Sequence, residues 1–124
     1  MPKVSILMNC FNGAQFLKEA INSVYAQTYS DWEIIFVDNC STDESQKIAN
    51  SYDSKIKVFE TDKNIPLGAA RNFGIKQCSG RYIAFLDTDD IWNKDKLQRQ
   101  MDVIDQNKLI KIIYTNYNIL KQKK

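Results

Sequence analysis

Apolar positions change their spacing along the chain, and the changes mark the elements. Val4-Ser5-Ile6-Leu7-Met8 is a short apolar run of the kind that forms a buried strand. Beyond Gly13, residues Phe16, Leu17, Ala20, Ile21 and Val24 recur at helical spacing and make one stripe. Trp32 to Val37 predicts a second strand. Ser41-Thr42-Asp43-Glu44 places a hydroxyl three residues before a carboxylate, the pattern of a capping box. It predicts a helix with Ile48 and Ala49 turned inward, ending near Tyr52. Ile56 to Phe59 predicts a third strand, and a polar connection follows over Glu60 to Asn64. Leu67, Ala70, Phe73, Gly74 and Ile75 predict another helix, stopped at Ser79-Gly80. Tyr82 to Leu86 predicts a strongly apolar strand. Asn93 is placed to cap a helix with Leu97, Met101 and Ile104 facing the core. Ile110 to Tyr114 predicts a last strand.

Strands alternating with helices imply an α/β fold: a three-layer, doubly wound, mostly parallel sheet with helices on both faces. The 124 residues suit one such domain, expected over 1–117, with a basic tail over 118–124. A formal net charge of +2 gives no electrostatic case for nucleic-acid binding. The tail Lys121-Gln122-Lys123-Lys124 reads as a solvated end or as a weak peripheral contact with an anionic membrane. Three widely spaced cysteines, Cys10, Cys40 and Cys78, argue against a disulfide framework and fit a reducing compartment. The absence of histidine disfavours a zinc site. No apolar stretch is long enough to span a bilayer, and the N-terminus lacks the pattern of a signal peptide, so the expected location is the cytoplasm.

In open parallel sheets, ligands bind beyond the carboxyl ends of the strands. The residues expected there are Asn9, Cys10, Phe11 and Asn12, then Asp38 and Asn39, then Asp87, Thr88, Asp89 and Asp90. Three carboxylates within four positions repel one another unless a cation or solvent intervenes. An all-oxygen set suits a hard cation, Mg²⁺ or Mn²⁺, shared with a diphosphate. A simple turn that caps the next helix is the competing reading. No GxxxxGK[ST] or GxGxxG is present, which removes a P-loop and a dinucleotide fold. A DxD phosphatase is disfavoured by Asp90-Ile91-Trp92 after the motif and by its position late in the chain. A receiver domain would need an acidic pair where Asn9-Cys10 stands and a lysine where Thr115-Asn116 stands.

Five segments, in order, carry a family pattern. They are Val4 to Gly13, Gln27-Thr28-Tyr29, Val37-Asp38-Asn39-Cys40-Ser41-Thr42-Asp43, Ala70-Arg71-Asn72-Phe73-Gly74, and Gly80 to Asp90. Together they resemble the glycosyltransferase family 2 proteins, from about Val4 to the last predicted strand. The resemblance implies a GT-A type fold and transfer of a sugar from a nucleotide diphosphate donor, with uracil the habitual base. By it, Phe11 would stack on the base and Arg71 would lie near the diphosphate, where a cationic fork suits phosphate. Asn39 stands where the family commonly has an aspartate that accepts from the base, and an amide oxygen also accepts. Asp38 would organise the loop, and Asn9 and Thr88 would line the donor. Asp89 would be the main metal ligand, Asp87 would contact ribose or metal, and Asp90 would cap or support. Asn9 replaces a common Pro or Thr, and Cys40 a common Gly.

The family's general base is a carboxylate in the second half of its domain, so none is named in this chain. The resemblance therefore implies the N-terminal, donor-binding half of an enzyme acting on a glycan or lipid-linked acceptor, in cell-envelope polysaccharide biosynthesis. A catalytically silent nucleotide-binding or interaction module is the alternative. A half domain would leave sheet surface uncovered, which predicts a homodimer or a C-terminal partner segment.

Overall fold

The computed structural model describes residues 2–113. In chain order the elements are β1 (Val4–Cys10), α1 (Ala14–Tyr25), β2 (Trp32–Asp38), α2 (Ser45–Asn50), β3 (Ile56–Glu60), α3 (Leu67–Gln77), β4 (Tyr82–Phe85) and α4 (Lys96–Gln106). The strands form one sheet in the order β3-β2-β1-β4, and every pairing is parallel. Val4 is opposite Trp32 on one side and Tyr82 on the other. This is the α/β arrangement that alternating strands and helices require, and among the described residues its strands pair in parallel.

Strand periodicity divides the core between two faces. Val4, Ile6, Met8 and Cys10 of β1 pack with Trp32, Ile34 and Phe36 of β2 against the stripes of α1 and α4. The α1 stripe buries Leu17, Ala20, Ile21 and Val24, while Phe16 stays partly exposed. Leu97, Met101 and Ile104 of α4 are buried as their spacing predicts. On the opposite face, Leu7, Ile35 and Val37 pack with Phe73 of α3. Gly74 permits that contact: a Cβ there would meet Leu7 and would stand 3.0 Å from Val37 Cγ2. Leu67 and Ile75, read from the sequence as part of this stripe, are exposed.

Three predicted features differ. Ile110–Ile113 is not a strand, and Tyr114 lies outside the described residues, as does the basic tail. Ile110 and Ile113 pack partly against the core, but this run does not join the sheet. The capping box does not form: α2 starts after Glu44, whose side chain makes no cap, while Ser41 serves α1 and Asp43 divides its oxygens between the Ala14 amide of α1 and the Ser45 amide of α2, the latter at 2.9 Å. Asn93 is not the N-cap of α4; Asp95 is, and the Asn93 side chain accepts from the Asp95 amide at 3.0 Å.

The amino end of the sheet is pinned by Glu33, which is 3% exposed. Its carboxylate accepts from the Ser5 hydroxyl at 2.7 Å, from the Ser79 amide and hydroxyl at 3.0 and 2.7 Å, and from Lys57 at 2.8 Å. Ser5 in turn accepts from the Gly80 amide at 2.7 Å. Burial pushes the Glu33 carboxyl up, but the hydrogen bonds from Lys57, Ser79 and Ser5 outweigh it and hold the group at about 2. A depressed folded value means stability that is complete above the unfolded carboxyl value of 4.5 and is lost as pH falls towards 2. The linked stabilisation is roughly 3 kcal/mol at neutral pH. Urea unfolding across this acid range should show a slope that Glu33→Gln reduces; an unchanged slope in the variant would refute the assignment.

Candidate functional site

The chain runs outward from β1 to β2 to β3, then crosses back to place β4 on the free side of β1. That reversal opens a crevice at the carboxyl ends of β1 and β4. The Leu86 amide extends the pairing by donating to the Leu7 carbonyl at 3.1 Å. The acidic segment Asp87–Asp90 therefore leaves the sheet beside Asn9–Gly13. A cleft of about 370 Å³ lies between them, lined by Asn9, Phe11, Asn12, Gly13, Gln15, Phe16, Asp87, Thr88 and Asp89. Gly13 sets their closeness: a Cβ there would stand 2.7 Å from Thr88 Oγ1 and 3.2 Å from Cys10 Sγ. The Phe11 side of the cleft is open, with 56% of that residue exposed.

Asp87, Asp89 and Asp90 are all exposed, and each offers a carboxylate oxygen within 4.8 Å of the other two. The Asp90 amide closes the turn on the Asp87 carbonyl at 3.1 Å. Burial, then the charges of Asp87 and Asp89, raises the Asp90 carboxyl above its ordinary value. Such a set is short of positive charge. Oxygens sharing a small divalent ion at about 2.1 Å lie roughly 3–4 Å apart, so slight closure would let the three converge on one cation.

The β1–α1 turn is fixed from outside. Asn12 takes a left-handed φ of 52°, which asparagine tolerates better than most residues. Gly13, the N-cap of α1, has no capping side chain. Instead the amides of Asn12, Gly13 and Ala14 donate to Ser41 Oγ at 2.9 Å, Ser45 Oγ at 3.0 Å and Asp43 Oδ2 at 3.1 Å. Asn12 Oδ1 returns the contact by accepting from the Thr42 amide at 2.8 Å. Gln27 plays a matching part at α4: it accepts from the Leu97 amide at 3.0 Å and donates to the Asn93 carbonyl at 2.6 Å. The sequence marks Gln27 only through the family motif, and nothing in its local pattern announces a contact with α4.

The remaining candidates lie around the end of β2 and on α3. Asp38 is fully buried; Oδ1 accepts a 3.4 Å bond from the Ser41 amide, and Oδ2 has no partner. Asn9 Oδ1 is likewise buried without a partner, at the inner wall of the cleft. Asn39 turns inward: its amide bonds both backbone groups of Ile65, and Thr61 adds a second donor to its oxygen. Arg71 is exposed on α3, across the sheet from α1. Cys40 has a φ of 60°, the conformation that explains a glycine preference at this position.

The family model for Glycosyl transferase family 2 matches residues 5–123. The chain belongs to glycosyltransferase family 2. It is similar to an uncharacterised glycosyltransferase of Rickettsia conorii, 42% identical over 97% of this chain and 20% of the relative. It is also similar to the UDP-Glc:α-D-GlcNAc-diphosphoundecaprenol β-1,3-glucosyltransferase WfgD of Escherichia coli, 39% identical over 94% of this chain and 46% of that protein. Among solved structures, S. aureus TarS in complex with UDP-GlcNAc matches with a TM-score of 0.82 and 31% identity, over 97% of this chain and 37% of that one. The chain thus spans less than half the length of these proteins.

Tight apposition of the two loops yields a direct test. Gly13→Ala should destabilise the fold by about 1–3 kcal/mol, the usual cost of overpacking. Thr88→Ala in the same chain should recover part of that loss, since it removes the 2.7 Å clash. Additive effects in thermal unfolding would rule out the contact as the cause.

Proposed function

We propose that the cleft holds a nucleotide diphosphate sugar, with Mg²⁺ or Mn²⁺ at Asp87, Asp89 and Asp90, for transfer of the sugar to an acceptor hydroxyl. The carrying observation is the meeting of three carboxylates, within 4.8 Å, at the rim of a cleft bordered by an exposed phenylalanine. An all-carboxylate set matches a hard cation, and the mutual repulsion felt at Asp90 is what such an ion relieves.

Asp89 is assigned as the main ligand, with Asp87 between ribose and cation and Asp90 in support. Asn9 and Thr88 line the donor. Phe11 offers its open ring to the base, Arg71 offers its fork to the phosphates, and Asp38 orders the loop behind them. The cation supplies Lewis-acid neutralisation of the charge on the departing nucleotide diphosphate. A UDP-linked donor is supported by UDP-GlcNAc in TarS and by the UDP-Glc named for WfgD. The diphosphoundecaprenol-linked acceptor named for WfgD supports a lipid-linked acceptor, with transfer at the inner face of the membrane. No residue of this chain is assigned as the general base.

Calorimetry with UDP and Mn²⁺ tests this reading. UDP should bind with metal and lose most of its affinity in a chelator, and Asp89→Ala should weaken binding by about tenfold or more, roughly 1.4 kcal/mol. Binding that ignores both chelator and mutation would defeat the metal-dependent donor site.

A further inference from the structure

The turn after β2 and the connection after β3 are joined by one side chain. Asn39 is 7% exposed. Its Nδ2 donates to the Ile65 carbonyl at 2.7 Å, and its Oδ1 accepts from the Ile65 amide at 2.9 Å. The Thr61 hydroxyl gives the same oxygen a second donor at 3.1 Å. An amide oxygen has two lone pairs, so this one is full. The pairing also fixes the chemistry required at position 39. Only an amide, or a protonated carboxyl, sets a donor against the Ile65 carbonyl beside an acceptor for its N–H. Two further bonds reinforce the joint: the Thr61 amide donates to the Asp38 carbonyl at 3.0 Å, and Asn64 Nδ2 to the Asn39 carbonyl at 3.0 Å. Pro66 and the start of α3 follow at once.

We infer that Asn39 is a positioning residue of the donor cleft, which clamps the 61–65 connection, and through it the start of the helix carrying Arg71, and offers no acceptor to a nucleobase. What the clamp serves rests on the donor-binding reading above; the clamp itself does not. It follows that this side chain does not tell the imide N–H of uracil from the ring nitrogen of cytosine.

Asn39→Asp is the deciding variant. Ionised, it turns a carboxylate oxygen onto the Ile65 carbonyl; protonated, it restores the donor and acceptor pair. Amide hydrogen exchange over 61–65 should be read against wild type at each pH, which controls for titration of Asp38, Cys40, Glu60, Asp62 and Lys63. At about pH 7.5 the variant should lose protection there by roughly tenfold, the scale of one buried hydrogen bond, and regain most of it towards about pH 4. Asn39→Ala should lose protection at both. With Mn²⁺ at about pH 7.5, UDP and CDP affinities of Asn39→Asp should fall together, their ratio staying within about twofold of wild type.

Wild-type protection in Asn39→Asp at neutral pH would overturn the inference. So would a gain of about tenfold in UDP over CDP, the signature of a side chain that accepts from the base. If wild type binds neither nucleotide, the donor reading fails while the exchange experiment still decides the clamp. Should neither position-39 variant fold, Asn64→Ala replaces them: exchange over 61–65 should quicken, and unchanged protection would count against the clamp.

Discussion

The whole arrangement depends on β1 being hydrogen-bonded along both edges. A parallel strand with a partner on each side must be buried on both faces, which is why β1 and β2 read as continuous apolar runs. Two parallel neighbours also require two crossovers, and the second must return past the first. The crevice at the carboxyl end of β1 is the geometric remainder of that return. Asn9 and Phe11 occupy one wall because they end the central strand, and Asp87 to Asp89 occupy the other because they end the strand that returns. Their nearness is a property of strand order before it is a property of any side chain.

What the crevice needs beyond strand order is stiff loops, and these are stiffened by groups from elsewhere in the chain. Helix α1 has its leading amides satisfied by Ser41, Asp43 and Ser45. Helix α4 has one satisfied by Gln27. The connection after β3 has its polar groups met by Asn39. An unsatisfied buried amide costs about 1–3 kcal/mol, so each exchange trades a local cap for a bond that also fixes a distance. The left-handed residues Asn12 and Cys40 are the local strain that accompanies it, and both sit within these joints.

This division explains how much could be read in the sequence. Strands and helices were legible because each is a contiguous pattern, and Leu97, Met101 and Ile104 face inward as their spacing demands. The acidic cluster and its neighbours Asn9 and Phe11 were legible for the same reason: they directly follow apolar runs, where ligands gather. Ser41 to Glu44 misled because a hydroxyl and a carboxylate at capping spacing say nothing about which helix they cap. Ile110 to Ile113 misled because an apolar run can pack against a core without joining a sheet. The engagement of Asn39 with Ile65 was illegible, since 26 residues separate the partners. Family membership carries the order and identity of the motifs; the contacts between them are set by packing.

The pairing of Val4 with Tyr82 has a consequence for how the molecule comes into being. Both partners of β1 lie later in the chain, and β4 is the more distant. Closing so long a loop costs entropy before any contact repays it, so β4 is the strand expected to join late. During synthesis the β1–β2–β3 sheet can assemble with one edge of β1 still bare, shielded only when Tyr82 to Phe85 leave the ribosome. The carboxylates of Asp87 to Asp90 reach the cleft in that same final step. A nascent chain therefore leaves the edge of β1 bare for as long as it lacks its acidic rim, and β4 covers the one as it delivers the other.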